Sequence, residues 1–216
     1  MLQLSNIKAS RISNRVNLTF SDNSYLPFFI DDVVKLSLVK NQEIDSEKLD
    51  LLIHTSLTYL AKEYALRQIA ISPKNEKLLS QKMRLFFQKT KRKFNISNDF
   101  PILPIIENII SELKDRNLLN ESDFVTYFIQ KNRHKSQAQI VFLISQFGIK
   151  IDPSLVKKLI PQNDLNLIKK FLDKKRINQN YLSDFNNRQK IMASLYRRGF
   201  NLTDIKNVID DYFKLK

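Results

Sequence analysis

The 216-residue chain has no cysteine and no tryptophan, two glycines and two histidines. Average usage would give roughly 15 glycines in a chain of this length. Without cysteine there is no disulfide framework, no thiolate metal site and no cysteine nucleophile. With so little glycine, a Gly-rich phosphate loop, a dinucleotide-binding fingerprint or a glycine-bearing nucleophile elbow has nothing to be built from. No apolar run reaches the 18 or more residues that a membrane span needs, and the N-terminal MLQLSNIKASRISNR lacks the apolar stretch of a signal peptide. A cysteine-free chain of this kind suits a reducing interior, so the expected setting is cytoplasmic, with no membrane partner.

Acidic residues are the other shortage. Lys and Arg number 36 against 22 Asp and Glu, a formal net charge of +14. Residues 1–60 hold 6 cations and 7 carboxylates, whereas residues 61–216 hold 30 and 15, so the excess belongs to the later part. A field of that sign concentrates polyanions near the surface. Hydrophobic residues at 43% and charged residues at 27% are those of a folded protein.

Alternation of Val16, Leu18 and Phe20 with polar residues, the turn formers Ser21 to Ser24, and a second apolar run from Tyr25 to Ile30 predict a β-hairpin. Gln3 to Ala9 can add a third strand, and Pro27 places its own strand at an edge. Asp31 is expected to cap a short helix through Leu36, and Asp45 or Ser46 to open a longer one. Beyond that the three- and four-residue spacing of Leu49, Leu52, Ile53, Leu57, Leu60, Ala61, Ala65 and Ile69 predicts one or two helices. Pro73 suits a first helical turn, and Leu78, Leu79, Met83, Phe86 and Phe87 form an apolar face that ends in the basic tail Lys89 to Lys93. Helices are expected over 102–116, 121–133, 136–147, 153–160, 163–176, 181–198 and 203–214. Asn120, Ser136 and Asp152 are candidate N-caps, and Asn117 and Gly148 candidate left-handed C-terminal residues.

The two glycines stand 51 residues apart, at 148 and 199, each after an amphipathic segment and before an apolar residue, Ile149 or Phe200. Ile140, Val141 and Ile144 then correspond to Ile191, Met192 and Leu195. With a one-residue slip, Leu155 and Leu159 correspond to Ile205 and Ile209. This is an internal repeat of about 50 residues, each copy holding three short helices, as in solenoid-like stacks. A first copy fits residues 56–117, with a longer basic connection over 84–101.

Three segments in this order resemble the RecX family of bacterial regulators of the RecA recombinase. RQKIMASLYRRGF (Arg188 to Phe200), followed by Ile205 and Val208-Ile209, is similar to its C-terminal pattern of a basic helix closing on Arg-Arg-Gly-Phe. LNESDFVTYFIQK (Leu119 to Lys131) resembles its central signature, with Asn120 and Glu121 where two acids are usual. ALRQIA (Ala65 to Ala70) with Leu79, Lys82 and Met83 fits its opening pattern, although Ser72, Asn75 and Leu78 replace the usual Arg, Ser and Glu. The resemblance implies a mainly α fold: three tandem three-helix repeats in an elongated arc behind a small N-terminal β-hairpin. The corresponding divisions are 1–54, 55–117, 118–161 and 162–216. It also implies a monomeric, non-enzymatic regulator, chiefly an inhibitor, of RecA in DNA repair, homologous recombination and the SOS response. Its basic faces would lodge in the groove of the filament that RecA forms on single-stranded DNA, meeting that DNA directly or through the filament.

Candidate contact residues are Lys82, Arg84, Lys89, Lys91, Arg92 and Lys93; Arg133, His134 and Lys135; Lys169, Lys170, Lys174, Lys175 and Arg176; and Arg188, Lys190, Arg197 and Arg198. Interleaved Phe86 and Phe87 could stack bases, but helical spacing assigns them to the core. Several of these cations also fall in last helical turns, where they favour the dipole without any partner. His54 and His134 lie 80 positions apart with no third ligand suggested. Asp31-Asp32 and Asp210-Asp211 read as capping and solvated groups. No nucleophile, base and orienter fall together, so no catalytic residue, metal or cofactor is expected. Two other readings remain: a basic helical nucleic-acid-binding module acting without RecA, and a scaffold that binds a protein through apolar repeat surfaces.

Overall fold

The computed structural model describes residues 2–12, 14–160 and 163–214, with side chains through Asp211. The chain forms two compact units, Met1–Asn120 and Glu121–Lys216.

The first unit opens with strands β1 (Leu2–Ala9), β2 (Arg15–Phe20) and β3 (Tyr25–Phe29), then helix α1 (Ile30–Lys35) and the two-residue strand β4 (Glu43–Ile44). All pairings are antiparallel, in the order β3-β2-β1-β4. The hairpin, the third strand and the edge position of Pro27 are as the alternation predicts; β4 was not expected, since two residues leave no periodicity. Val16, Leu18 and Phe20 turn inward with Leu4, Leu26, Phe28, Leu38 and Ile44. Asp31 does not cap α1. The N-cap is Phe29, without a side-chain bond, and Asp31 and Asp32 lie in the first turn, where they still favour the dipole.

Asp45 caps α2 (Ser46–Ile71), its side chain accepting from the Lys48 N–H at 2.7 Å. This single 26-residue helix spans the expected boundary at 54/55. Its first part packs Leu52 on the sheet, and the buried Ser56 hydroxyl donates to the Pro27 carbonyl of β3 at 2.8 Å. Its second part sets Leu57, Ala61 and Ala65 against α3 (Glu76–Lys93) and α4 (Leu103–Asp115). Pro73 precedes α3 rather than entering it, because Asn75 is the cap and accepts from Leu78 N–H at 3.0 Å. Since α3 continues through Lys93, the connection expected over 84–101 shrinks to residues 94–102. Phe87 is fully buried and Phe86 stacks on Tyr64 at 4.5 Å, so both belong to packing.

The second unit contains α5 (Glu121–Lys131), α6 (Gln137–Ser145), α7 (Pro153–Leu159), α8 (Asp164–Lys174), α9 (Gln179–Ser183), α10 (Phe185–Tyr196) and α11 (Leu202–Lys214). Asp184 ends α9 and caps α10, its carboxylate accepting from Asn187 N–H at 2.7 Å, which divides the helix expected over 181–198 in two. Ser136 and Asp152 cap as predicted.

Burial follows the repeat. Ile140 and Ile144 are buried as are Ile191 and Leu195; Val141 and Met192 are half-buried; Ile149 and Phe200 are buried. The downstream pairing differs by one more residue: Leu155 is exposed, and the buried pair is Val156 of α7 and Ile160, which caps its end, four apart like Ile205 and Ile209. Val156 follows Pro153 by one helical turn, and that turn sets which side faces inward.

Helices end by one recurring device. After α3, α4, α8 and α10 the residues Asn95, Asn117, Arg176 and Gly199 have positive φ. The next amide in each case, of Ile96, Leu118, Ile177 and Phe200, donates five residues back, to the carbonyls of Lys91, Leu113, Leu172 and Leu195. This is the Schellman closure, which satisfies carbonyls the helix leaves unpaired. Five of the seven non-glycine positive-φ residues described are asparagines, the side chain that best tolerates this region in place of glycine.

Gly148 and Gly199 share φ near +82 and +83, yet their surroundings differ. A Cβ on Gly148 would meet nothing within 4 Å, whereas one on Gly199 would lie 2.4 Å from Gln139 Cβ and 2.9 Å from Ser136 Oγ. Gly148→Ala is therefore expected to destabilise by about 1–2 kcal/mol, the cost of a left-handed L-residue. Gly199→Ala should lose about 1–3 kcal/mol more through overpacking. Urea denaturation of the two variants checks the ranking, which equal losses would contradict.

Candidate nucleic-acid interface

The close approach at Gly199 organises the basic residues of the second unit. Ser136 is fully buried at the start of α6. Its Oγ accepts from Gln139 N–H at 3.1 Å, and its own N–H donates to the Arg198 carbonyl at 3.1 Å. The end of α10 is thus fastened to the turn between α5 and α6. The Arg198 guanidinium lies 4.4 Å from the centre of the Phe171 ring on α8, a cation–π seat that covers one face of the group. Lys174 follows Phe171 by three residues, one turn further along α8, and Lys135 and His134 directly precede Ser136. His134 is exposed, yet partial desolvation by its surroundings holds the imidazole below the usual histidine range, and Arg198, Lys135 and Lys174 press it further down. Three stretches that are separate in sequence, 133–135, 169–176 and 188–198, therefore contribute cations to one neighbourhood.

The other candidates divide. Lys170, Lys175 and Arg176 are exposed around the end of α8, and Arg176 occupies the left-handed position there. Lys169 lies 3.8 Å from Asp211 of α11. Arg133, Lys190 and Arg197 are exposed; Arg188 is half-buried, 5.9 Å from the centre of the exposed Phe185 ring. In the first unit, Arg84, Lys89, Arg92 and Lys93 are exposed on α3 and Lys82 is half-buried.

Lys91 is a correction. It is 5% exposed, and its ammonium donates to the carbonyls of Asn98 at 2.8 Å and Phe100 at 2.5 Å. Burial lowers its pKa while Asp99 opposes that shift. It pins the 94–102 connection onto α3 and is unavailable to a partner. The run of six cations hides this because period alone cannot tell which lysine lies beneath a returning loop.

Sequence reasoning gave Ser136 only a capping role and did not single out Phe171; the recurrence of Gly199 was the available signal that a backbone passes close by. Among the described residues no group of three His, Cys, Asp or Glu is placed to hold a metal ion, and no helix is long and apolar enough to cross a membrane.

The fold and this surface define the class: a mainly α protein with an antiparallel N-terminal sheet, whose second unit gathers lysine, arginine and histidine where helix ends meet. Residues 162–209 match the sequence profile of the RecX third three-helix domain. A protein named Regulatory protein RecX from Clostridium beijerinckii is 28% identical over 207 residues, covering 95% of this chain and 79% of that protein. The chain is therefore similar to RecX proteins along nearly its whole length, and residues 162–209 match the profile of that family's third three-helix domain. Two solved structures are also similar. A regulatory protein RecX aligns over 98% of this chain and 100% of its own at 16% identity and a TM-score of 0.47. RecX from Lactobacillus salivarius aligns over 74% and 98% at 19% identity and a TM-score of 0.40.

Lys91→Met is expected to lower stability by about 1–3 kcal/mol by removing the buried ammonium that holds the Asn98 and Phe100 carbonyls. Lys89→Ala and Arg92→Ala, both on the exposed side of α3, should change it by less than about 0.5 kcal/mol. Urea midpoints at matched m-values test the contrast.

Proposed function

We propose that this chain regulates the RecA recombinase, chiefly as an inhibitor, by binding the filament of RecA on single-stranded DNA through basic faces of its helices. The observation that carries this reading is the similarity to a named RecX regulatory protein along 95% of the chain. The cation neighbourhood around Arg198 supports it, since a filament combining a phosphate backbone with protein is met best by fixed positive groups. On this reading α2–α4, α5–α7 and α8–α11 are the family's three repeats, 55–117, 118–161 and 162–216. The profile matched by residues 162–209 supports the third of these divisions. The chain would act without catalysis, cofactor or metal, as a monomer in the cytoplasm, in homologous recombination, DNA repair and the SOS response.

A second reading keeps the nucleic acid and drops RecA: a net charge of +14 alone suffices for salt-sensitive DNA binding. The two part on one experiment, titration of this protein into single-stranded-DNA-dependent ATP hydrolysis by RecA of the same organism. Loss of hydrolysis at less than one copy per RecA subunit is expected. The double variant Lys174→Glu, Arg197→Glu should need roughly tenfold more protein for the same loss, because each reversed contact weakens attraction to phosphate. Unchanged hydrolysis together with tight, salt-sensitive DNA binding would reject RecA regulation and establish the second reading.

A further inference from the structure

We propose that His134, Lys135, Lys174 and Arg198 form one phosphodiester-binding site that takes up a proton as nucleic acid binds, so that affinity for DNA rises as pH falls. This rests on the reading that the second unit meets nucleic acid, and it adds to that reading a definite site and a regulating condition.

The geometry stands on three segments. The turn before α6 supplies His134 and Lys135, the last turn of α8 supplies Lys174, and the end of α10 supplies Arg198. The Ser136 N–H bond to the Arg198 carbonyl holds the first segment to the third, and the Arg198 seat on Phe171 holds the third to the second. With one face of its guanidinium on the ring, Arg198 keeps its edge N–H groups for an anion, the geometry in which arginine reads phosphate. Of the nearby carboxylates, Asp164 accepts from Gln137 N–H at 3.4 Å and Asp211 of α11 lies 3.8 Å from Lys169. Donors from three segments suit a tetrahedral anion with several oxygens better than a planar carboxylate.

His134 makes the site conditional. Partial desolvation of this exposed ring, together with the cations Arg198, Lys135 and Lys174, lowers the pKa of the imidazole, which favours its neutral form in the free protein. A phosphate among them cancels their field and supplies an acceptor for an N–H. The ring's pKa then rises on binding. A ligand that raises a pKa binds the protonated form more tightly, so affinity increases as pH falls, up to about tenfold for each unit of rise.

The chain has only two histidines, and His54 lies on α2 of the other unit. It is therefore an internal control. The test is fluorescence anisotropy of rhodamine-labelled oligothymidylate at constant ionic strength, from about pH 8 to about pH 6, the range in which histidine titrates. Wild-type protein and His54→Gln should bind roughly 3- to 10-fold more tightly at the acid end, one proton being taken up over a shift of up to about one unit. His134→Gln should bind with little change across the range, and Lys135→Ala should weaken binding and flatten the profile. In the NMR spectrum the His134 ring titration should move to higher pH on adding the oligonucleotide. Identical pH profiles for wild type and His134→Gln, with binding intact, overturn this site while leaving RecA regulation standing. A pH profile seen only when RecA is present assigns the site to an acidic protein surface and likewise overturns it. Absence of any oligothymidylate binding at low salt removes the nucleic-acid reading beneath it as well.

Discussion

One backbone contact, from Ser136 N–H to the carbonyl of Arg198, holds the basic surface of the second unit together. It exists because the residue after Arg198 is glycine. A side chain at position 199 would run into Gln139 Cβ and Ser136 Oγ, so the end of α10 could not approach the start of α6. From that approach follow the burial of Ser136, the seat of Arg198 on Phe171, and the proximity of Arg198, Lys135 and Lys174 to His134. The charge pattern is thus a consequence of packing. Like-charged groups are costly to gather, and here they are gathered because the neighbouring helix ends are closed and buried around them.

The same economy explains how a chain with two glycines makes so many tight helix endings. Asparagine takes the left-handed positions at 95 and 117, and Arg176 takes one at some cost in backbone energy. Closure also buries apolar residues: Ile177 and Phe200 follow the left-handed residue and join the core of α8–α11 with Leu172 and Leu195. Glycine is kept at 199, where space as well as φ forbids a side chain, and at 148, where φ alone favours it.

In the first unit α2 plays the connecting part. Leu52 and Ser56 face the sheet, and Leu57, Ala61 and Ala65 face α3 and α4, so one helix serves two cores. A division between a leader and a first helical repeat therefore falls within a rigid element. Lys91 shows how this unit spends a charge on structure: its buried ammonium binds two loop carbonyls and ties the connection to α3.

Periodicity by itself determined most of the secondary structure. The period of two in Val16, Leu18 and Phe20 and the three- and four-residue spacing beyond Leu49 are local properties of side-chain direction, and the structure follows them. The 51-residue recurrence was equally legible, as was the family resemblance at Arg188 to Phe200. Local signals failed where competing options were nearly equal in energy. Asp31 and Phe29 both stood near the start of α1, Pro73 and Asn75 both suited the start of α3, and Asp184 could cap a new helix or continue an old one. Only tertiary structure decided that Lys91 is buried while Lys89 and Arg92 are exposed, because burial depends on where the 94–102 connection returns. Only it brought His134, Lys174 and Arg198 into one neighbourhood. Their sequence separation is bridged by backbone contacts between helix ends, and no spacing within a single helix encodes such a contact.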